Sequence, residues 1–105
     1  MTAEERKIIW QGKSGTNYEY WIFQIGVAFE AAAGNFIFAQ ETSPHKWKPV
    51  YIGQTKNLKD ITENLPLLNR SDITHIHAHI NTDEASRLAE EVDLIDKWSA
   101  HVNTR

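Results

Sequence analysis

From Ala85 to Ile95, apolar residues return every three or four positions, as Ala85, Leu88, Ala89, Val92 and Ile95. That is the spacing of one face of a helix. In front of them, Asn81-Thr-Asp-Glu84 offers an N-cap with a glutamate three residues on, the arrangement of a capping box. No other segment carries so clear a helical period. What precedes it is a series of short runs rich in aromatic and β-branched residues, so the pattern predicts an α+β fold with a central antiparallel sheet and flanking helices.

The runs are Lys7 to Trp10, Tyr18 to Ile25, Gly34 to Gln40, Val50 to Gly53 and Thr74 to Ile80. Gln11-Gly-Lys-Ser-Gly-Thr-Asn17 between the first two is rich in glycine and small polar residues and reads as a turn, which makes an N-terminal β-hairpin. Glu30 to Ala33 is open between a helical turn and a loop. Glu41 to Pro49 contains two prolines and reads as a loop. Lys56 to Leu65 reads as a helix closed by Pro66. At 105 residues the chain is expected to form a single domain with one core.

Composition narrows the function classes. Cysteine is absent, which excludes disulfides and thiolate zinc sites. The net charge of -3 counts against a strongly electrostatic nucleic-acid binder. DNA binding would need a local basic surface around Lys13, Lys46, Lys48, Lys56 and Lys59. No apolar run approaches membrane-spanning length, and the first residues lack the apolar core of a signal peptide. A cytoplasmic protein with no membrane contact is the expectation.

Several side chains invite functional readings. On a helical wheel Glu91 falls between Ile95 and Trp98, at the edge of the apolar stripe, while Glu90 and Asp93 lie off it. His75, His77 and His79 alternate with Ile76, Ala78 and Ile80, so the three imidazoles share one face of a strand. Alternate strand residues stand about 6.6–7 Å apart, too far to converge readily on one zinc. A polar, partly exposed sheet face, with one histidine packed under Trp47 or Trp98, is the favoured reading. Gly12-Lys-Ser-Gly15 lacks the full spacing of a phosphate-binding loop and is read as the hairpin turn. Trp10, Tyr20, Trp21 and Trp47 could stack on bases, but core or interface roles are commoner. A sheet covered on one side only would expose one aromatic face of Tyr18 to Phe23, which suggests pairing with a second copy.

One ordered set of residues goes further. Gly34-Asn-Phe36, then Tyr51-Ile-Gly53-Gln-Thr55, then Asn57-Leu58, then Glu91-Val-Asp-Leu94-Ile95 and a terminal Asn103 together resemble the GIY-YIG nuclease domain over about residues 34 to 103. The flanking Trp10-Gln-Gly-Lys-Ser-Gly15 and Thr74-His-Ile-His-Ala-His79 look like a subgroup of short, stand-alone bacterial members. The resemblance implies a small mixed α/β sandwich and metal-dependent hydrolysis of DNA phosphodiesters. It implies Tyr51 as the group that orients or deprotonates water and Gly53 as the point of close backbone approach. Glu91 becomes the carboxylate holding Mg²⁺ or Mn²⁺, weakly, since one carboxylate gives little affinity without substrate phosphate. Asn103 matches the closing asparagine.

The match is incomplete where chemistry is most demanding. Phe36 stands where the family has a tyrosine, so the ring is kept and the hydroxyl lost. Ile61, in Asn57-Leu-Lys-Asp-Ile61, stands where the family carries an arginine. Leu65 stands near a subgroup histidine, and Ala100 replaces a proline. Losing one preorganised transition-state donor costs roughly 10²–10³ in rate, and a positioned acid–base group contributes about 10²–10⁴. Lys56, Lys59 and Arg70 are the cations nearby in sequence, and lysine lacks the planar fork of arginine. The chain is therefore read as a nuclease-family scaffold that is catalytically impaired or inactive. The alternative is a non-catalytic module on the same fold, binding nucleic acid or an unknown protein partner, with a homodimer also open.

Overall fold

Register and side-chain alternation decide which residues share a face here, and both come from one antiparallel sheet. A computed structural model describes residues 6–62 and 72–98. The strands are β1 (Lys7–Gln11), β2 (Asn17–Gln24), β3 (Gly34–Ser43), β4 (Lys46–Thr55) and β5 (His75–Ile80), followed by the helix α1 (Glu84–Trp98). The five strands form one sheet in the order β1-β2-β5-β3-β4, and every pairing is antiparallel. The α+β class and the N-terminal hairpin match the sequence reading.

Two expectations about local structure are corrected. Glu41 to Pro49 is not a loop but the tip of a long hairpin, with β3 reaching Ser43 and β4 starting at Lys46. The turn places His45 at a φ of 65°. Pro49 fits because β4 is an edge strand and the register shifts beside it, between Phe38 and Ala39. A bulge on an edge tolerates a residue without an N–H. The predicted helix from Lys56 is a 3₁₀ turn over Leu58–Thr62, Lys56 and Asn57 precede it without helical structure, and residues 63 to 65 lie outside the described residues. Glu30 to Ala33 is irregular, tied down where the Leu58 N–H donates to the Ala32 carbonyl at 2.8 Å.

The sheet has a core on each face. Under α1 lie Trp10, Tyr20, Ile37, Ala39 and Ile52, packed with Leu94. The opposite face carries Phe23, Phe36, Phe38, Val50, Ile76 and Ala78, covered by Phe29, Leu58, Ile61 and Ile73. Strand alternation does this sorting, since Phe36 and Phe38 go one way and Ile37 the other.

The helix is where the sequence pattern misleads. Its buried residues are Arg87, Glu90, Glu91 and Leu94. The stripe expected to be buried points outward: Leu88 is 44% exposed and Val92 57%, with Ala85 and Ala89 exposed beside them. Only Ile95 of that set is partly buried against the core. The cap is also shifted. The Asp83 carboxylate accepts from the Ser86 N–H at 2.8 Å, so Asp83, not Asn81, closes the helix N-terminus. The cause of the inversion lies in the sheet, which presents buried polar groups that only the charged side of the helix can satisfy.

A second tie fixes the far end of α1. The Asp93 carboxylate accepts from the Ser14 N–H (2.9 Å), the Ser14 hydroxyl (2.7 Å) and the Tyr18 hydroxyl (2.8 Å). A Cβ at Gly12 would lie 2.0 Å from Asp93 Oδ2, so the glycine of the β1–β2 turn leaves room for this carboxylate. The Gly12-Lys-Ser-Gly15 stretch is thus a hairpin turn that holds a helix.

Two predictions test this arrangement. Leu88→Ser and Val92→Ser should each change unfolding free energy by no more than about 0.5 kcal/mol in urea denaturation. An inward-facing stripe would instead cost roughly 2–5 kcal/mol for a comparable truncation. The Ser14 hydroxyl, Ser14 N–H and Tyr18 bonds lower the pKa of Asp93, so its contribution is present above the ordinary carboxylate range and is lost as pH falls through the lowered value. Asp93→Asn should therefore be less stable than the wild type at neutral pH, with the gap closing in acid. A gap independent of pH in thermal melts would contradict the clamp.

Candidate functional site

The residues singled out by the nuclease resemblance do not all meet. Phe36 is opposite Gly53 across the β3–β4 ladder, and Tyr51 is opposite Phe38. The three rings stack, with centroids 6.0 Å apart for Phe36 and Tyr51 and 5.8 Å for Phe38 and Tyr51. A Cβ on Gly53 would fall 2.7 Å from Phe36 Cζ and 3.0 Å from Tyr51 Cε1, so this glycine makes space for the aromatic stack. Ile61 is buried in the same cluster. Glu91, by contrast, is buried on α1, and α1 packs on the other face of the sheet. The structure brings Phe36, Gly53, Tyr51 and Ile61 together and sets Glu91 apart from them. Leu65, Arg70, Ala100 and Asn103 lie outside the described residues.

Nor do the described residues assemble a metal centre. No group of three or more His, Asp or Glu stands together among them. Glu91 offers a single carboxylate where Mg²⁺ takes six oxygens, so the described side chains do not fit the ion. The histidines of β5 share a face as alternation requires; His75 and His77 both pack edge-on to Trp47, at 5.0 and 4.6 Å, while their ring nitrogens go to different partners. His75 Nδ1 is 2.9 Å from the Thr74 hydroxyl. His77 accepts from the Trp10 indole N–H at 2.9 Å. The expectation of one histidine under Trp47 holds, but the face is the one covered by α1.

The most developed polar arrangement was not legible in the sequence. Glu90 is buried and sits between two donors. The Tyr20 hydroxyl donates to its carboxylate at 2.5 Å, and His79 Nε2 is 2.7 Å from the same oxygen. His79 Nδ1 lies 3.2 Å from the Ile80 carbonyl. Both ring nitrogens therefore face acceptors. Burial, and then the Glu90 charge, push the Tyr20 hydroxyl well above its ordinary pKa.

Arg87 extends the layer. It donates to Gln54 Oε1 and to the Asn81 carbonyl, each at 3.1 Å. Asn35, fully buried on β3, donates to the Arg87 carbonyl at 3.0 Å and accepts from Asn81 at 3.3 Å. The sequence reading separated Glu91 from Glu90 by their places on the wheel; in the structure both are buried. The missed signal was the tyrosine and histidine on adjacent strands facing the helix, which only the β2–β5 register reveals.

Searches of family models, of curated proteins and of solved structures find no match to this chain. The reading of the site therefore rests on its own geometry. Among the described residues no helix is long and apolar enough to cross a membrane. The lysines named as a possible basic surface are dispersed. Lys13 is in the β1–β2 turn, Lys46 and Lys48 open β4, and Lys56 follows its other end.

Of the exposed aromatics, Trp21 stands out at 40% exposure, on the face opposite α1, with the Lys7 ammonium 4.5 Å over its ring. Trp10 and Tyr20 are core.

Tyr20→Phe removes one of the two donors to a buried carboxylate. The expected loss is about 1.5–3 kcal/mol in chemical denaturation. In alkaline titration Tyr18 should ionise near pH 12, because burial and the Asp93 bond favour its neutral form. Both raised tyrosines contribute stability that is complete below the ordinary tyrosine pKa and drains away as pH rises through the raised values. Ultraviolet titration showing Tyr18 ionising near pH 10 would contradict the placement.

Proposed function

We propose that the chain is a GIY-YIG-like scaffold that does not cleave phosphodiesters and acts as a protein-interaction module, docking a basic amphipathic segment of a partner on the outer face of α1. The orientation of that helix carries the reading. Charged Arg87, Glu90 and Glu91 are turned inward, while Leu88 and Val92 are turned out with Ala85 and Ala89. Contiguous apolar surface on one helix face is the feature that partners cover. Leu88, Ala89 and Val92 line a shallow groove together with Asp93 and Asp96, and Glu84 is exposed at its head. Carboxylates around an apolar floor select a cationic partner. A second copy would bring the same carboxylates, so an unlike partner is favoured over a homodimer.

Three placements support the loss of catalysis. Phe36 has no hydroxyl, Ile61 puts a buried aliphatic side chain where the resemblance calls for a cation, and Glu91 is held on the far side of the sheet from Tyr51. A guanidinium at position 61 would have to replace core packing. The scattered lysines and the net charge of -3 favour a protein partner over DNA.

The purified protein should not nick supercoiled plasmid in Mg²⁺ or Mn²⁺ above the level of Glu91→Ala. Nicking that this substitution abolishes would overturn the reading and restore the nuclease. The docking face is checked with a synthetic lysine–leucine amphipathic peptide in fluorescence anisotropy. Saturable binding that weakens with salt and is lost in the Leu88→Ser/Val92→Ser double variant is the expected outcome.

A further inference from the structure

Strands β2 and β5 separate partway along their length. Their ladder runs Gln24↔His75, Phe23↔Ile76, Ile22↔His77, Trp21↔Ala78 and ends there. Yet β2 continues to Asn17 on β1, and β5 continues to Ile80 on β3. The alternation of hydrogen bonds fixes which groups face the gap. The Ile22 N–H donates to the Arg6 carbonyl, and Gly12 N–H to the Thr16 carbonyl, so even-numbered residues of β2 bond toward β1 and odd-numbered ones toward β5. The Asn81 N–H donates to the Ala33 carbonyl, so odd-numbered residues of β5 bond toward β3 and even-numbered ones toward β2. Glu19 and Ile80 are therefore the next bonding pair in register, and the ladder does not form it. The Ile80 carbonyl is taken by His79 Nδ1 at 3.2 Å, which leaves the Glu19 N–H and C=O and the Ile80 N–H as the groups turned to the gap by register.

The opening leads into a cavity of about 600 Å³ whose apolar lining is Trp21, Phe23, Phe29, Leu58, Ala78 and Ile80. That volume lies within the range of small-molecule sites. Lys7, Trp21 and Ala78 stand in one row across three strands. The Lys7 ammonium occupies the β1 side of the indole, 4.5 Å from its centroid, and Trp21 still keeps 40% of its surface exposed. Phe23 and Phe29, edge to face at 4.9 Å, close the floor. His79, in the wall, has both ring nitrogens engaged by Glu90 and the Ile80 carbonyl.

We propose that this cleft binds a small, neutral, planar heteroaromatic molecule that carries a hydrogen-bond donor beside an acceptor, the chemistry of a purine base or nucleoside. The flat ring stacks on the exposed surface of Trp21, and its polar edge bonds to the Glu19 N–H and C=O and to the Ile80 N–H. A purely apolar ring offers nothing to the Glu19 N–H and C=O or to the Ile80 N–H, which is costly once water is displaced. Phosphate is disfavoured, because the Glu19 carboxylate is at the rim and the nearest cation, Lys7, is already paired with it at 3.4 Å. The cleft opens on the face opposite α1, so this inference stands or falls separately from the docking face.

The test is a titration of the ¹⁵N-labelled full chain with adenosine and guanosine, followed through its amide resonances. Saturable shifts are expected at Glu19, Trp21 and Ile80. Trp21→Ala should weaken binding about tenfold or more, as loss of a stacking platform does, and Trp21→Phe should retain most of it. Nucleoside monophosphates should bind more weakly than nucleosides, and indole, which lacks the paired acceptor, more weakly still. Absence of saturable shifts at Glu19 and Ile80 at millimolar nucleoside overturns the proposal. So does equal binding of indole, or unchanged affinity in a Trp21→Ala variant whose spectrum remains dispersed.

Discussion

Glu90 sits buried between the Tyr20 hydroxyl and His79, and the placement of the helix follows from it. A carboxylate taken out of water needs charge-assisted partners, because an uncompensated buried charge is far more costly than a lost apolar contact. The sheet supplies those partners from β2 and β5, and α1 must turn its charged side to meet them. Once Glu90 is seated, Arg87 reaches Gln54 and the Asn81 carbonyl, Leu94 completes the apolar core, and Asp93 arrives at the β1–β2 turn. Leu88 and Val92 are left outside as a geometric consequence.

The same network links the two sides of the molecule. His79 is at once the partner of Glu90 under the helix and part of the wall of the cleft on the other face. Tyr20 and His79 pack edge to face at 4.7 Å, just beyond the last β2–β5 ladder pair. The polar contact that docks the helix therefore also marks where the two strands separate. Buried polar networks are high-stakes in this sense: a satisfied one fixes positions that apolar packing alone would leave adjustable.

The nuclease resemblance and the structure bear on different levels of description. The aromatic and glycine positions Phe36, Tyr51 and Gly53 form one packed unit, with the glycine sized to the rings. Without the tyrosine hydroxyl at position 36 or a cation at position 61, that unit is core. The acidic partner implied for it, Glu91, belongs to a layer on the other face.

The sequence alone settled the strands and their faces, because β periodicity is local: Phe36 and Phe38 part from Ile37, and the three histidines of β5 part from Ile76, Ala78 and Ile80, as alternation demands. It also settled that a helix follows the last strand, though its cap is Asp83 and not Asn81. It failed at the β3–β4 hairpin, where two prolines masked strands that an edge position and a bulge tolerate. It could not settle which side of α1 is buried. Periodicity ranks residues by hydrophobicity and assumes an apolar surface opposite. Here the opposing surface carries Tyr20, His79, Asn35 and Gln54, brought together from four strands by register. Only the tertiary structure places those groups side by side, and their need for partners outweighs the apolar stripe of the helix.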